Sequence, residues 1–232
     1  MMIEFTEALR APISNERLES YRPTPASDDL DMVSTYFWNV ALCETLYTPL
    51  HALEISLRNA IHATLLIYYD NDPYWFLNTI RLTPWQASAI ANIRADLPST
   101  ATSGQFIAAT NFSFWTGFFS STFSMTLWIP NQATLLRSVF PHVPKRYRDP
   151  KKIGLLYYDA RQLRNRVFHY GPIWRDPRLL SKCEHIMNMI GWISPEMRAA
   201  VALCCRFPNA HRAGHEDVRQ RMLGALGTDV FS

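Results

Sequence analysis

The stretch QLRNRVFHYGP, residues 162–172, places two arginines, an asparagine and a histidine directly before a Gly-Pro pair. Arginine guanidinium groups bind phosphate and a histidine exchanges a proton near neutral pH, so side chains of these types could act on a phosphodiester. These side chains can act on one phosphodiester only if the secondary-structure element that carries them presents them on the same surface.

A helix over residues 150–170 would divide this part of the chain into two faces, because successive residues are 100° apart around a helix. The apolar face would collect Ile153, Leu156, Ala160, Leu163 and Val167. The polar face would collect Gln162, Asn165, Arg166 and His169. His169 is therefore predicted to lie away from the core, which argues against a purely structural buried histidine.

The Gly171-Pro172 pair predicts the end of this helix, with Gly171 in the left-handed position and His169 in the last turn. There the helix dipole favours a charged imidazole and the neighbouring arginines oppose it, which predicts proton exchange near neutral pH. Arg164 lies about 140° from His169 on an ideal helix. Both side chains would meet one phosphate only through a bent last turn, a long arginine reach or a second subunit.

A second polar stripe is predicted in LHALEISLRNAIHATLL, residues 50–66. Its members recur at steps of three and four: His51, Glu54, Arg58 and His62, with Asn59 at the border. The core line of the same helix would be Leu53, Leu57 and Ile61. Glu54 is placed to form an ordinary surface ion pair with Arg58, or to reach Arg164 and orient it for a preorganised site.

Basic residues are concentrated in one part of the chain. Twelve lie between Arg137 and Lys182 against three acidic residues, whereas the whole chain has a formal net charge of +3. Such a block attracts phosphate backbones, although a charge run is often only a solvated surface. The candidate RNA-binding residues in this block are Lys145, Arg146, Arg148, Lys151, Lys152 and Arg161.

Recurring helix-start signals and scarce glycine predict an all-α protein. Thr, Asp or Ser followed by proline marks possible helix starts at Thr48, Thr83, Asp149, Asp176 and Ser194. The aromatic segment 111–128 is predicted to be a buried helix. We expect an N-terminal extension (1–26), a helical domain (27–193) and a C-terminal helical tail (194–232) that packs on or extends the domain.

Several kinds of function are disfavoured by composition. No apolar run is long enough to cross a membrane and the N-terminus lacks a secretion signal, so we expect a cytoplasmic protein without a membrane partner. The four cysteines lack metal-binding spacing and fit a reducing compartment. His211, His215 and Glu216 could hold a metal, but without a suitably spaced cysteine we expect neither a metal nor a cofactor.

Three pieces of the chain resemble the Abi-like (abortive infection) proteins of bacteria, members of the HEPN superfamily. They are YFWNVALCETLYTPLHALEISLRNAIHATL with Trp-Asn and Leu-Arg-Asn signatures, FSFWTGFFS, and LRNRVFHYGPIW with an Arg-Asn-Arg-x-x-His motif. Together they reach from Tyr36 to Trp174. Many Abi-like proteins have a second histidine and a glutamate after the motif histidine, where this chain has Tyr170 and Gly171.

The resemblance implies a HEPN-like helical bundle with additional helices, which often forms a homodimer with two motifs facing one cleft. It also implies a metal-independent endoribonuclease of phage defence that leaves a 2′,3′-cyclic phosphate. Arg164 would then bind the scissile phosphate, Asn165 would orient, and His169 would be the general acid or base. The expected supporting residues are Glu54, Arg58, Asn59 and Arg166, and the expected partners are RNA and a neutralising protein.

Two other interpretations stay open at this point. In a non-catalytic HEPN module that binds RNA or a partner protein, Arg164 would form a structural pair and His169 would only cap a helix. In a helical scaffold without a nucleic-acid role, the basic residues would be scattered over the surface.

Overall fold

The computed structural model describes residues 2–226, and every regular element in that range is helical. The all-α prediction is therefore confirmed. None of the helices in this range combines the length and the apolar composition that crossing a membrane requires.

The α-helices are α1 (Met2–Ala8), α2 (Arg10–Ile13), α3 (Asn15–Glu19), α4 (Asp29–Tyr68), α5 (Trp75–Asn78), α6 (Pro84–Asp96), α7 (Ser103–Ala109), α8 (Phe112–Thr116), α9 (Ser121–Phe123), α10 (Arg137–Val139), α11 (Pro150–Phe168), α12 (Leu179–Ile193), α13 (Pro195–Cys204) and α14 (Phe207–Leu226). Short 3₁₀ turns span Gly117–Phe119 and Lys145–Tyr147, and π-helical turns span Ser124–Trp128 and Gln132–Leu136.

Proline after a capping residue opens a helix at three of the five predicted starts, namely in α6, α11 and α13. At α6 the Thr83 hydroxyl accepts from the Gln86 N–H and the Gln86 side chain accepts from the Thr83 N–H, a reciprocal cap. At the Asp176-Pro177 signal a turn comes first, and α12 begins only at Leu179.

The predicted helix start at Thr48 is wrong, because α4 runs through Pro49 without a break. An internal proline costs about 3 kcal/mol, since it removes a hydrogen bond and crowds the preceding turn. Leucines and one isoleucine on both sides of it are 0–1% exposed at helical spacing: Leu42, Leu46, Leu50, Leu53, Leu57 and Ile61. Each such burial contributes about 1.5–3 kcal/mol, so a continuous buried face outweighs the local signal.

The chain divides into two compact units. Within the described range, unit 1 consists of residues 2–48, 163–183 and 204–226, and unit 2 consists of residues 49–162 and 184–203. Unit 1 thus contains residues from the predicted extension, the predicted helical domain and the predicted tail. Residues 227–232 of that tail lie outside the described residues.

Unit 1 combines a small apolar cluster with a network of charged side chains. Leu18 packs with Met32 and Val33, all fully buried. Asp29 at the start of α4 receives hydrogen bonds from Arg10 (2.8 Å) and Arg22 (2.7 Å). These contacts hold the N-terminal helices α1–α3 against the first turns of α4.

Unit 2 has an aromatic core. Phe119 stacks nearly parallel to Trp128 (centroids 5.4 Å apart) and to Tyr157 (5.5 Å). The aromatic residues of segment 111–128 are buried and the segment is largely helical, but it is several short pieces, because Ser120 adopts an extended conformation (φ −64°, ψ 163°). Gly154 of α11 is required beside this core, since a Cβ there would lie 2.8 Å from the Phe119 Cβ.

Candidate active site at the end of helix α11

Helix α11 ends at Phe168, and the next residues form a hydrogen-bonded cap. Tyr170 has a left-handed backbone (φ 59°). The N–H groups of Tyr170 and Gly171 donate to the carbonyls of Val167 (3.4 Å) and Arg166 (2.7 Å), the Schellman arrangement. The left-handed residue is therefore Tyr170 and the prediction of Gly171 was wrong. Gly171 instead allows a close approach, because a Cβ there would lie 3.2 Å from the Arg166 carbonyl oxygen.

The two faces predicted for α11 are confirmed around the motif. Leu163 and Val167 are buried, whereas Arg166 and His169 are exposed and Asn165 is half-buried. The His169 N–H still donates to the Asn165 carbonyl (3.0 Å), so the backbone stays helical up to the histidine. The imidazole is thus presented to solvent at the end of the helix, where a substrate could reach it.

Arg164 is directed toward the end of α11 by an aromatic stack. Its guanidinium carbon lies 4.5 Å from the centroid of the Phe168 ring, one turn further along the helix. Phe168 in turn stacks on Tyr47 of α4, with 5.2 Å between the ring centroids. Phe168 directly precedes His169 and points about 100° away from it around the helix, so the stack holds the guanidinium beside the last turn of α11 on a face next to that of the histidine.

Arg166 makes a weaker contact on the exposed side. Its guanidinium lies 3.9 Å from a carboxylate oxygen of Asp176, the oxygen that Lys182 approaches to 2.6 Å. An exposed ion pair at the longer distance contributes little to stability. Arg166 can therefore turn toward an anionic ligand at small cost.

The chain beyond the cap is fixed by Asn39, the asparagine of the Trp-Asn signature. Its side-chain oxygen accepts from the N–H groups of Ile173 (2.8 Å) and Trp174 (3.2 Å), and its amide nitrogen donates to the Tyr21 hydroxyl (3.3 Å). Asn39 is only 3% exposed. The signature residue is thus a buried connector that sets the path of the chain leaving the motif.

A cavity of about 280 Å³ in unit 1 is lined by Tyr170 together with residues of α2, α3 and α4. Arg17 lines it, donates a hydrogen bond to the Tyr170 carbonyl and lies 5.9 Å from the Tyr36 ring centroid. Burial raises the pKa of the Cys43 thiol in this cavity to about 11, so the thiol stays protonated at neutral pH. Arg17 was not predicted from the sequence, because no local pattern links it to a residue 153 positions away.

The predicted supporting residues of α4 belong to unit 2. Glu54 and Arg58 are half-buried and Asn59 is exposed. The Arg58 side chain donates to the Asn59 side-chain oxygen at 3.3 Å. Arg164, Asn165 and His169 belong to unit 1, so the predicted Glu54–Arg164 pair would join the two units and stays a prediction.

His62 does not continue the polar stripe of α4. Its Nδ1 accepts a hydrogen bond from the indole N–H of Trp75 (3.1 Å), which is fully buried. Burial lowers the pKa of His62, which suits a neutral imidazole that accepts this bond. His62 therefore has a structural role in unit 2.

Five of the six predicted RNA-binding residues lie at the start of α11 or in the turn before it, and Arg161 lies further along the helix. Most of them are exposed: Lys145, Arg146, Lys151 and Lys152. The Lys152 ammonium donates to the Arg146 carbonyl (3.2 Å), which brings these two parts of the surface together. Arg148 is half-buried and donates to the Val143 carbonyl (3.2 Å), so it supports the turn. Arg161 is half-buried against the Tyr158 ring.

No family model, no curated protein and no solved structure matches this chain. Function is therefore argued from the site. An exposed imidazole, a guanidinium held on an aromatic ring and a half-buried amide at one helix end can bind a phosphate and exchange a proton.

Proposed function

We propose that this chain is an Abi-like protein of the HEPN superfamily and a metal-independent endoribonuclease of phage defence. Arg164 binds the scissile phosphate, Asn165 orients it and His169 transfers protons. The observation that carries the proposal is the Arg164–Phe168 stack, which holds the guanidinium against the side chain of the residue that precedes His169. The sequence motif, the basic block and the stack are each consistent with binding and cleavage of an RNA phosphodiester.

The proposed reaction is an attack of the ribose 2′-oxygen on the adjacent phosphorus. The P–O5′ bond breaks, and the products carry a 2′,3′-cyclic phosphate and a 5′-hydroxyl. A neutral imidazole of His169 accepts the 2′-hydroxyl proton, or a protonated one donates to the leaving 5′-oxygen. The Arg164 guanidinium offsets the negative charge on the phosphoryl oxygens. In a homodimer the second His169 supplies the complementary proton transfer, so we propose a dimeric enzyme.

The remaining predicted residues support this role. The exposed basic side chains around the start of α11 bind the RNA backbone, and their contribution should fall as salt rises. Glu54, Arg58 and Asn59 lie together on the polar stripe of α4 as supporting residues, and Arg166 contacts a neighbouring phosphate. A protein that neutralises the nuclease by covering the exposed imidazole is the expected second partner.

The decisive experiment is cleavage of a mixed cellular RNA pool by the purified chain in EDTA. The His169→Ala variant should cut about 10²- to 10⁴-fold more slowly, because it lacks the proton-transfer group. His185→Ala is the matched control, since His185 is an exposed histidine of α12 and is not part of the motif. The product ends should resist phosphatase until acid opens the cyclic phosphate.

The competing interpretation is a non-catalytic module that binds RNA or a partner protein. It is favoured by the same stack, since a cation–π contact with Phe168 is also a structural role for Arg164. RNA binding that is equal in wild type and His169→Ala, with no cleavage by either folded protein, would support this module and refute the nuclease.

A further inference from the structure

A group of potential metal ligands lies in unit 1, apart from the α11 motif. One ligand atom each from Asp31, His215 and Glu216 all lie within 4.8 Å of one another. Asp31 is in the first turn of α4, and the other two follow Gly214, whose positive φ (73°) kinks α14. Residues from opposite ends of the chain therefore converge at one point.

Neighbouring side chains hold the two carboxylates in place. The Arg219 guanidinium lies 2.9 Å from an Asp31 carboxylate oxygen and 3.0 Å from one of Asp28. The Gln220 amide donates to Glu216 at 2.6 Å. Metal-ligating carboxylates are commonly oriented by such outer hydrogen bonds. Three carboxylates against one guanidinium leave the group negatively charged, which favours a cation.

We propose that Asp31, His215 and Glu216 form a binding site for a divalent transition-metal ion, with Zn²⁺ as the ion that fits best. Zn²⁺ accepts imidazole and carboxylate ligands in a tetrahedron, and water can complete a set of three protein ligands. In a tetrahedron, ligand atoms about 2.1 Å from the ion are about 3.4 Å apart, so a pair at the 4.8 Å limit has to close by about 1.4 Å. Side-chain rotation can supply a movement of this size, because all three side chains are exposed or half-buried.

The set of potential ligands in the structure differs from the set considered from the sequence. His211, His215 and Glu216 were considered together on spacing alone, but Asp31 takes the place of His211. The His211 ring instead lies 5.5 Å from the ring of Phe207. His211 is therefore a matched internal control, four residues before His215 across the kink at Gly214 and outside the ligand set.

The bound ion would clamp α14 to the start of α4. This role is separate from the proposed nuclease, and neither depends on the other. Because the ion binds only the folded chain, Zn²⁺ should raise the thermal unfolding midpoint by about 5 °C at a hundredfold excess over the dissociation constant.

The test is calorimetric titration of the full chain with Zn²⁺, beside thermal unfolding with and without the ion. We expect one ion per chain. Glu216→Gln and His215→Ala should bind at least about tenfold more weakly and lose the thermal shift, while His211→Ala should behave as wild type. Glu216 is exposed, so its variant should remain folded.

Three outcomes would overturn the site: no saturable binding by wild type, wild-type affinity in both ligand variants, or binding that is lost in Cys204→Ser instead. The last outcome would assign the ion to the free thiols of Cys204 and Cys205. RNA cleavage in EDTA is the separate measure of the nuclease, and it should be equal in wild type and Glu216→Gln.

Discussion

Two buried tyrosines show how differently the two units are held together. Tyr21 in unit 1 is 1% exposed, and its hydroxyl accepts a hydrogen bond from Asn39. Tyr157 in unit 2 is 0% exposed, and its hydroxyl has no hydrogen-bond partner among the residues that the structure describes. Burial raises the pKa of both hydroxyls, so both stay protonated at neutral pH.

The contrast indicates that different interactions stabilise the surroundings of the two tyrosines. In unit 1 the buried Asn39 amide hydrogen-bonds the Tyr21 hydroxyl and fixes the chain after the motif, although the Trp174 indole N–H of this unit has no hydrogen-bond partner among the described residues. Unit 2 gains enough from stacked rings around Phe119 to tolerate a desolvated hydroxyl, which costs about 1–3 kcal/mol. The candidate active site belongs to unit 1, where hydrogen bonds to Asn39 determine the backbone path after the motif.

The largest effect that would test this comparison is expected for Asn39→Ala. The substitution leaves the N–H groups of Ile173 and Trp174 without their acceptor, so the free energy of unfolding should fall by about 2–4 kcal/mol. Urea unfolding followed by circular dichroism measures it. Asn59→Ala, an exposed position on the same helix, should change stability by less than about 0.5 kcal/mol. Equal effects of the two substitutions would contradict the connector role of Asn39.

A smaller effect is expected when each tyrosine hydroxyl is removed. Tyr21→Phe should destabilise by about 1 kcal/mol, because Asn39 loses a hydrogen-bond acceptor. Tyr157→Phe should leave stability unchanged or raise it by up to about 1 kcal/mol, because a desolvated hydroxyl disappears. The same urea experiment compares both. A loss of stability in Tyr157→Phe would mean that unit 2 also depends on this polar group.

The smallest expected effect is a pH dependence carried by unit 1. Hydrogen bonds from Arg22 and Arg10 hold the pKa of Asp29 below its usual range. A lowered folded-state pKa contributes stability above the ordinary aspartate pKa, and this contribution is lost as pH falls through the folded value. The urea midpoint of wild type should therefore fall from pH 6 to pH 3 more steeply than that of Asp29→Asn.

Asp159→Asn is the control for this pH series, since Asp159 is an exposed aspartate of α11 in unit 2. Its midpoint should follow the wild-type curve. Because the Asp29 carboxylate is 40% exposed, solvent screens the Arg22 and Arg10 pairs and the slope difference should be modest. If the curves of wild type and Asp29→Asn are parallel, the ion pairs of Asp29 with Arg22 and Arg10 do not contribute measurably to the stability of unit 1.

Local sequence predicted the parts of the fold that short-range chemistry controls. The caps at Thr83 and Asp149 act within one turn, so their Pro signals mark real helix starts. The Thr48 signal failed because buried residues several turns away on both sides of Pro49 keep α4 continuous. Similarly, the period of the aromatic segment identified the buried residues but not the break at Ser120.

In the candidate site, too, only the features that depend on neighbouring residues were predicted. The spacing of the motif placed Asn165, Arg166 and His169 on the polar face of α11, and the structure agrees. It did not predict the Phe168 stack that directs Arg164, because that stack depends on Tyr47 from another helix. Arg17 and the cavity beside Tyr170 were not predicted either, because they also depend on contacts between residues that are distant in sequence.

Periodicity and neighbours within about one turn are enough to predict the helical fold class, the two faces of α11 and the residue types at its end. Contacts between distant segments instead keep Pro49 inside a helix, anchor the chain after the motif on Asn39 and bring Asp31 to His215 and Glu216. Packing sets the burial and hydrogen bonding of such segments, and it overrides a local preference where the alternative would expose more apolar surface or leave more polar groups unpaired.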